Sequence, residues 1–401
     1  MPSLSLFGQF INATRDTKLT DASFLINEAQ SQSYVLSHFL RKSSPFRNIR
    51  GGTRITERVK VTDQGNFAEY NPGDQRVLTR INTMRSLNFE WAFNESNISY
   101  TEQEIMLNAG DGDVDMYKNL KKSFRQDALS DHVNGLESRM FAAPNFALQE
   151  TVSASDRRKA YSIPCFITEN GLAPVTVVPA TSTTTAFTTL AGQDPANADN
   201  TWFRNQVSSY DSTSWATISA ANTGILAAMD DMDVKLNFKP VPQNANGTFQ
   251  EDSGDKIVIF TNRVGLNYIR QLYRTGQDTY TSGRGGNGGT DAAYSRVQYN
   301  GREIEYVTAL DTEPLGGTNN SAAAGGTFTS TGVAYVNPRY FWVNTKHLFP
   351  VFHKQRFMYE REAMDGGVMA PDTEVIFYNT WWQFVCNSRR RNGIVRPASA
   401  N

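Results

Sequence analysis

The most restrictive stretch of this sequence runs from residue 53 to residue 91. In 53–61 (TRITERVKV), Ile55, Val59 and Val61 alternate with Arg54, Arg58 and Lys60, the two-residue period of a strand with one face in water. The alternation resumes over 77–91 through Ile81, Leu87, Phe89 and Trp91, and Asn71-Pro72-Gly73 between the two supplies turn chemistry. The pair reads as one long β-hairpin with a polar tip. Residues 41–85 hold ten Lys/Arg and four Asp/Glu, a local charge of +6 in a chain whose formal charge is −1. A ribbon this long and charged has too little apolar surface to fold alone. It is expected to reach across a neighbouring surface.

A helix follows. Val114, Tyr117, Leu120, Phe124, Leu129, Val133, Leu136 and Met140 recur at near-helical spacing, with Asp111, Asp113 and Asp115 where the dipole favours negative charge and Pro144 as the stop. About 30 residues at ~1.5 Å each predict a rod of roughly 45 Å, a structural spine. Before the hairpin, 1–45 is polar with short apolar clusters and reads as an arm that gains structure against something else.

From 150 to 340 the chain turns rich in Thr, Ser, Asn, Gly and Ala. A helix is expected over 219–232, a strand over 234–241, a buried strand over 256–262 (KIVIFTN) and a helix over 264–275, with loops at 181–189, 283–289 and 316–332. Strands then return over 332–336, 340–343, 373–378 and 381–386, before the basic run Arg389-Arg390-Arg391. These four strands need partners earlier in the chain, so the spine and the C-terminus are expected to share one domain interrupted by 150–335. Within 381–386 the alternation puts Trp382, Phe384 and Cys386 on a core face, under a Leu120/Phe124/Leu129 stripe of the spine, with Trp381 turned to another layer or subunit.

The chemistry-bearing patterns do not add up to an active site. Gly283-Arg-Gly-Gly-Asn-Gly288 matches a dinucleotide-binding spacing, but no strand leads into it and no helix opens after it. Asp111, Asp113 and Asp115 imitate a calcium loop that has Met116 and Lys122 where Gly and Glu belong. His347 and His353 are separated by Pro350, His38 and His132 lack partners, and Cys165 has no nearby histidine. Two cysteines make no disulfide framework, and no basic n-region or ~18-residue apolar run points to secretion or a membrane. The near-neutral balance disfavours a nucleic-acid binder of the ordinary basic kind. Arg389–Arg391 reads as a solvated strand end that tolerates single substitutions, with a phosphate grip as the sharper alternative. No enzyme, cofactor or metal is expected. A large chain with a projecting hairpin, an arm and a spine suggests a self-assembling subunit.

That order of parts resembles the major capsid proteins of tailed double-stranded DNA bacteriophages, the Hong Kong 97 fold. The resemblance rests on the arm before Arg50, the hairpin 53–91, the helix 114–143, KIVIFTNRVGLNYIRQL at 256–272, and the closing stretches GVAYVNPRYFWVN and PDTEVIFYNTWWQFVCNSRRRNGIVRP. It implies an α+β class with these divisions: N-terminal arm 1–48, extended hairpin loop 49–92, peripheral domain 93–149, axial domain 150–335, and return strands with tail 336–401. It also implies hexamers and pentamers in an icosahedral shell enclosing double-stranded DNA without sequence-specific binding. Scaffolding and portal proteins would be partners, with a decoration protein as an option, in a virion assembled in host cytoplasm. The family's loop lies over a neighbour's peripheral domain, which places Arg54, Arg58, Lys60, Arg76, Arg80 and Arg85 at a subunit interface. Glu102, Glu104, Asp127, Asp131 and Glu137 are the acids that would meet them. Some relatives crosslink through Lys–Asn bonds, and Lys60 is the only lysine in the hairpin strands; no crosslink is expected here. Three other readings stay open: a tail-fibre or adhesin-like protein, an encapsulin-like shell of the same fold, and an α/β enzyme relying on His347, His353 or Asp311.

Overall fold

Two β-sheets bridged by one long helix organise the structure, a computed structural model describing Val35, Phe39 and residues 47–49, 51–62, 69–73, 80–103, 114–142, 160–172, 175–178, 183–186, 189–211, 216, 224–237, 256–275, 297–312, 338–365 and 373–398. Its strands are β1 (Arg47–Ile49), β2 (Arg54–Lys60), β3 (Met84–Glu90), β4 (Ala92–Thr101), β5 (Val175–Val178), β6 (Thr183–Ala186), β7 (Gln206–Tyr210) and β8 (Ile257–Thr261). After them come β9 (Gln298–Tyr299), β10 (Arg302–Tyr306), β11 (Tyr340–Asn344), β12 (Leu348–His353), β13 (Tyr359–Asp365), β14 (Thr373–Cys386) and β15 (Gly393–Pro397).

The first sheet is built on β14, a 14-residue strand where two shorter ones were expected. Its N-terminal part pairs antiparallel with β4 on one edge and β13 on the other, its C-terminal end pairs with β12, and β1 adds to β12 in parallel. The second sheet runs β7-β15-β11-β8-β10-β9. Its centre, Ile257–Thr261, is buried at every position, as a strand covered on both faces must be. Tyr210, Ile259, Tyr340, Trp342 and Val395 fill one side with the helices Ile225–Leu236 and Arg263–Thr275, while Val258, Phe260, Phe341, Val343 and Ile394 join the main core. The second helix starts hard against its strand: a Cβ on Gly265 would lie 2.1 Å from Thr261 Oγ1, closer than any side chain tolerates. Asp311 accepts from the Arg263 N–H at that helix start and from the Tyr306 hydroxyl, a capping arrangement.

The helix Val114–Met140 lies on the first sheet and ends against the second, where Phe141 makes edge contacts with Phe260 and Phe341 at 5.6 and 5.9 Å. Among its described side chains, Ala128, His132, Leu136 and Met140 are buried and Leu129 is exposed. The four recur at i, i+4; Leu136 and Met140 were expected on this face, Leu129 is turned off it, and Leu120 and Phe124 have side chains outside the described residues. The two-faced reading of 381–386 holds only in part. Trp382, Phe384 and Cys386 are fully buried and Trp381 is half-buried, but Gln383 and Val385 on the Trp381 side are buried too, so beyond Trp381 both faces of the strand are covered.

Several expectations are corrected. Val234 is helical and exposed, because the helix Ile225–Leu236 runs through the start of the strand placed at 234–241. Residues 183–186, expected in a loop, form β6 against β5. The return strands do not all rejoin the spine: β11 pairs with β8 and with β15, and β15 with β7, in the second sheet, while β12, β13 and β14 pair in the first. The stretch 332–336 lies outside the described residues, as do 283–289 and 316–332.

The chain therefore crosses between sheets twice near its end, and the basic run sits at that joint. Arg389 is fully buried. Its Nε donates to the Phe166 carbonyl at 2.7 Å, and its terminal nitrogens donate to the Phe203 and Leu172 carbonyls at 3.1 and 2.8 Å and to Asn205 Oδ1 at 3.1 Å. The guanidinium also lies over the Phe203 ring. Burial pushes its pKa down to about 10, which leaves it charged at neutral pH. Cys165 and Cys386 interact with it but supply no counter-charge, since burial raises their thiols to about 11 and 12. Carbonyl dipoles solvate the cation instead. Arg391, also buried, donates to His347 Nε2 at 2.9 Å, and His347 Nδ1 lies 2.8 Å from Asn387 Oδ1. Asn392 Oδ1 accepts from the Asn344 N–H. Only Arg390 of the three is exposed, so the solvated-strand-end and phosphate-grip readings of the run are both replaced by a structural joint.

Candidate assembly surfaces

The hairpin forms as expected, with Arg54 opposite Glu90 and Lys60 opposite Met84. Its base is not a free ribbon. Ile55, Leu87 and Phe89 are buried in the subunit's own core, and the Phe89 ring packs 6.3 Å from Tyr161 and 6.2 Å from Phe166. A turn at Leu190–Gln193 braces the same strand: Asn88 N–H donates to the Ala191 carbonyl and Gln193 Nε2 to the Ser86 carbonyl. Past the end of β3, Trp91 Nε1 donates to the Gly52 carbonyl just before β2. The alternation thus buries one face of the base within the chain and aims the rest outward.

Beyond the ladder the character changes. Tyr70, Ile81 and Met84 are 64%, 51% and 56% exposed. Arg54, Arg58, Lys60, Arg80 and Arg85 are all exposed, and Arg76 lies outside the described residues. The hairpin therefore presents both the basic charge seen in the sequence and an apolar set.

The proposed acids divide. Glu102, Asp127 and Asp131 are exposed, and Glu104 lies outside the described residues. Glu137 is buried and accepts from the Val35 N–H at 2.5 Å. It belongs to the subunit interior, which corrects its place among acids open to a neighbour. The exposed Glu360 is paired with Arg125 at 3.1 Å.

A surface that sequence reasoning missed lies on the face of the first sheet away from the long helix. At the β4–β14 pair Phe93 opposite Trp381, the rings meet edge-to-face at 5.0 Å, and His353 reaches Trp381 at 5.1 Å. Arg356 lies over Tyr359 and Trp381, 4.7 and 5.6 Å from their ring centres. Phe93 and Tyr359 are 55% and 44% exposed. Trp381 was singled out from the sequence as a candidate for another layer; its companions come from residues far apart in the chain, and only strand register assembles them.

No helix among the described residues is long and apolar enough to cross a membrane. His347 and His353 occupy separate hydrogen-bonded and stacked positions, and Asp311 caps a helix, so the three residues of the enzyme alternative are not brought together.

No family model matches the chain, and no curated protein sequence does. Solved structures do. The capsid asymmetric unit of Cyanophage A-1(L) aligns with 94% of this chain and 96% of its own at 12% identity, with a TM-score of 0.53. A chain of Mycobacterium phage Bobi covers 97% of both at 10% identity and a TM-score of 0.49. The capsid of a native GTA particle covers 94% and 95% at 10% identity and a TM-score of 0.48. The chain has a mixed α/β fold of the phage-capsid kind. The architecture recognised in the sequence holds at that level, across nearly the whole chain.

Proposed function

We propose that this chain is the structural major capsid protein of a tailed phage, assembling through hexamers and pentamers into an icosahedral head around double-stranded DNA. The observation that carries the reading is the end-to-end fold likeness to the Cyanophage A-1(L) capsid, because fold alone is what that identity licenses. Two features support it. A braced hairpin carries exposed apolar and basic side chains, Tyr70, Ile81 and Met84 beside Arg54, Arg58, Lys60, Arg80 and Arg85. An aromatic sheet face on the same subunit exposes Phe93 and Tyr359. A projection on one copy seated on a different patch of the next is a heterologous contact, which closes into rings or shells when the rotation permits.

The hairpin acts as the clasp. Tyr70, Ile81 and Met84 of one copy seat on the Phe93/Trp381/Tyr359 face of another, while Arg54, Arg58, Lys60, Arg76, Arg80 and Arg85 find acids such as Glu102, Asp127 and Asp131. Single exposed pairs contribute about 0–1 kcal/mol and are screened by salt, so the apolar contact is the larger part. The subunit works without catalysis or cofactor, beside scaffolding and portal proteins, and its place is the virion. Electron microscopy of the purified protein is expected to show closed shells, rings or tubes. A monomer under every salt and scaffold condition rejects the reading, and trimeric fibres replace it. Deleting 65–73 is expected to leave a folded subunit, since the buried base strands stay intact, and to abolish stable shells. Normal assembly of that variant removes the clasp.

A further inference from the structure

His132 is where the long helix is bonded to the sheet beneath it. The side chain is 4% exposed. Its Nδ1 lies 3.0 Å from Ser96 Oγ on β4, and its Nε2 lies 2.7 Å from Thr380 Oγ1 on β14. Thr380, fully buried, also accepts the Met358 N–H at 3.1 Å. Met358 has φ +47°, a left-handed conformation that costs a non-glycine residue free energy unless its surroundings hold it. The turn that Met358 closes carries Arg356, whose carbonyl accepts the Trp381 N–H and whose guanidinium lies over Tyr359 and Trp381. One imidazole thus connects the helix, two strands and the turn behind the aromatic face.

A hydroxyl has one hydrogen and two acceptor positions. With Met358 N–H on one of them, Thr380 can meet the ring in either tautomer. With the ring hydrogen on Nδ1, the ring donates to Ser96 and Thr380 gives its hydrogen to Nε2; with it on Nε2, Thr380 accepts on its second position and Ser96 donates to Nδ1. Neutral imidazole satisfies this circuit. Imidazolium donates from both nitrogens, so both hydroxyls must accept, and whichever hydroxyl hydrogen faced the ring, that of Thr380 or of Ser96, has to turn away from it.

We propose that His132 is a proton-operated latch, closed when neutral, that releases the long helix from the sheet and loosens the Met358 turn when it is protonated. Burial lowers its pKa from 6.5, and Asp131 on the same helix partly opposes this. Across the contact, Tyr378 is tied to Glu360 and Glu360 to Arg125, Tyr100 is tied to Glu374, and the β4 face offers no carboxylate. The native state therefore binds fewer protons than the unfolded chain. The latch is intact above the unfolded value of 6.5 and loses stability as pH falls from there toward the lower folded value.

Hydrogen exchange of the full-length subunit, compared at about pH 7.5 and about pH 5.5 after correction for intrinsic rates, tests this without reference to shell formation. Amides in 92–101 and 354–361 are expected to exchange severalfold faster at the lower pH, while β8 stays protected. His132→Gln is expected to remove that difference. The same acceleration in H132Q, or none in the parent, overturns the latch. Should H132Q fail to fold, Asp131→Asn at an exposed position gives the second reading: loss of the carboxylate moves the release to lower pH, and an unmoved release pH is equally fatal. Failure to form shells has no bearing on either outcome.

Discussion

Replacing Arg389 with methionine is expected to leave little soluble subunit. The guanidinium is fully buried and donates to three main-chain carbonyls and to Asn205. Leu172 O and Asn205 Oδ1 also receive hydrogen bonds from Thr168, so they keep a donor in the variant. The Phe166 and Phe203 carbonyls would face a thioether that donates nothing. Each buried acceptor left without a partner costs about 1–3 kcal/mol, and the lost contact with the Phe203 ring adds to this. Two such acceptors cost about 2–6 kcal/mol, a large part of a typical stability of ~5–15 kcal/mol. Arg389→Lys keeps the charge but not the planar fork, so it should fall between parent and methionine variant. Arg390→Ala, on the exposed neighbour, is the control and should unfold like the parent. Denaturant midpoints of the three variants measure the order, and an Arg389→Met subunit as stable as Arg390→Ala would exclude the joint as a stabilising element.

Phe384→Ala against Trp381→Ala separates folding from assembly. Phe384 is fully buried, with Phe39 at 5.6 Å and Trp382 at 5.5 Å edge-on. Truncating a core phenylalanine costs about 3–5 kcal/mol. Trp381 is half-buried; its ring meets Phe93, His353 and Arg356, and the side chain packs against the main core. Each such pair contributes about 0.5–1.5 kcal/mol, so its removal should spare the soluble subunit and lower shell yield. Soluble protein and shell yield, scored for both variants, are the readouts. Equal loss of soluble protein would reject the division of this strand into a core face and an open face.

Both variants rest on a part of the fold that was legible in the sequence. Strand alternation in 381–386 places Trp382, Phe384 and Cys386 on a core side of β14, because successive side chains must point to opposite faces, although Gln383 and Val385 on the other side are buried as well. The hairpin was legible for the same reason, as were the strand Ile257–Thr261 and the helix that follows it. The long helix was legible in extent and, at Leu136 and Met140, in its buried face, but not at Leu129: that residue fits the helical period as well as His132 does, and what decides between them is the sheet beneath. Ser96 and Thr380 accommodate a histidine ring there, which hydrophobic spacing cannot foresee.

The basic run at 389–391 shows the opposite case. A row of three arginines ordinarily belongs in water, since burying an unpaired charge is costly. It is buried here because the turns around 166–172 and 203–205 bring carbonyls to it from about 220 and 185 residues away in sequence. Local pattern contains no trace of that arrangement.

The sequence by itself determined the order of parts, the projecting basic hairpin, the spine and the core face of the last long strand. These follow from periodicities that depend only on neighbours along the chain. The tertiary structure alone decided which return strands join which sheet, that Glu137 and Arg389 turn inward, and that Phe93, Trp381, Arg356 and Tyr359 meet on one open face. Each of those is a question of register between distant segments. A shift of one residue in strand pairing reverses every side chain on the strand, and only the packed core selects the register that holds.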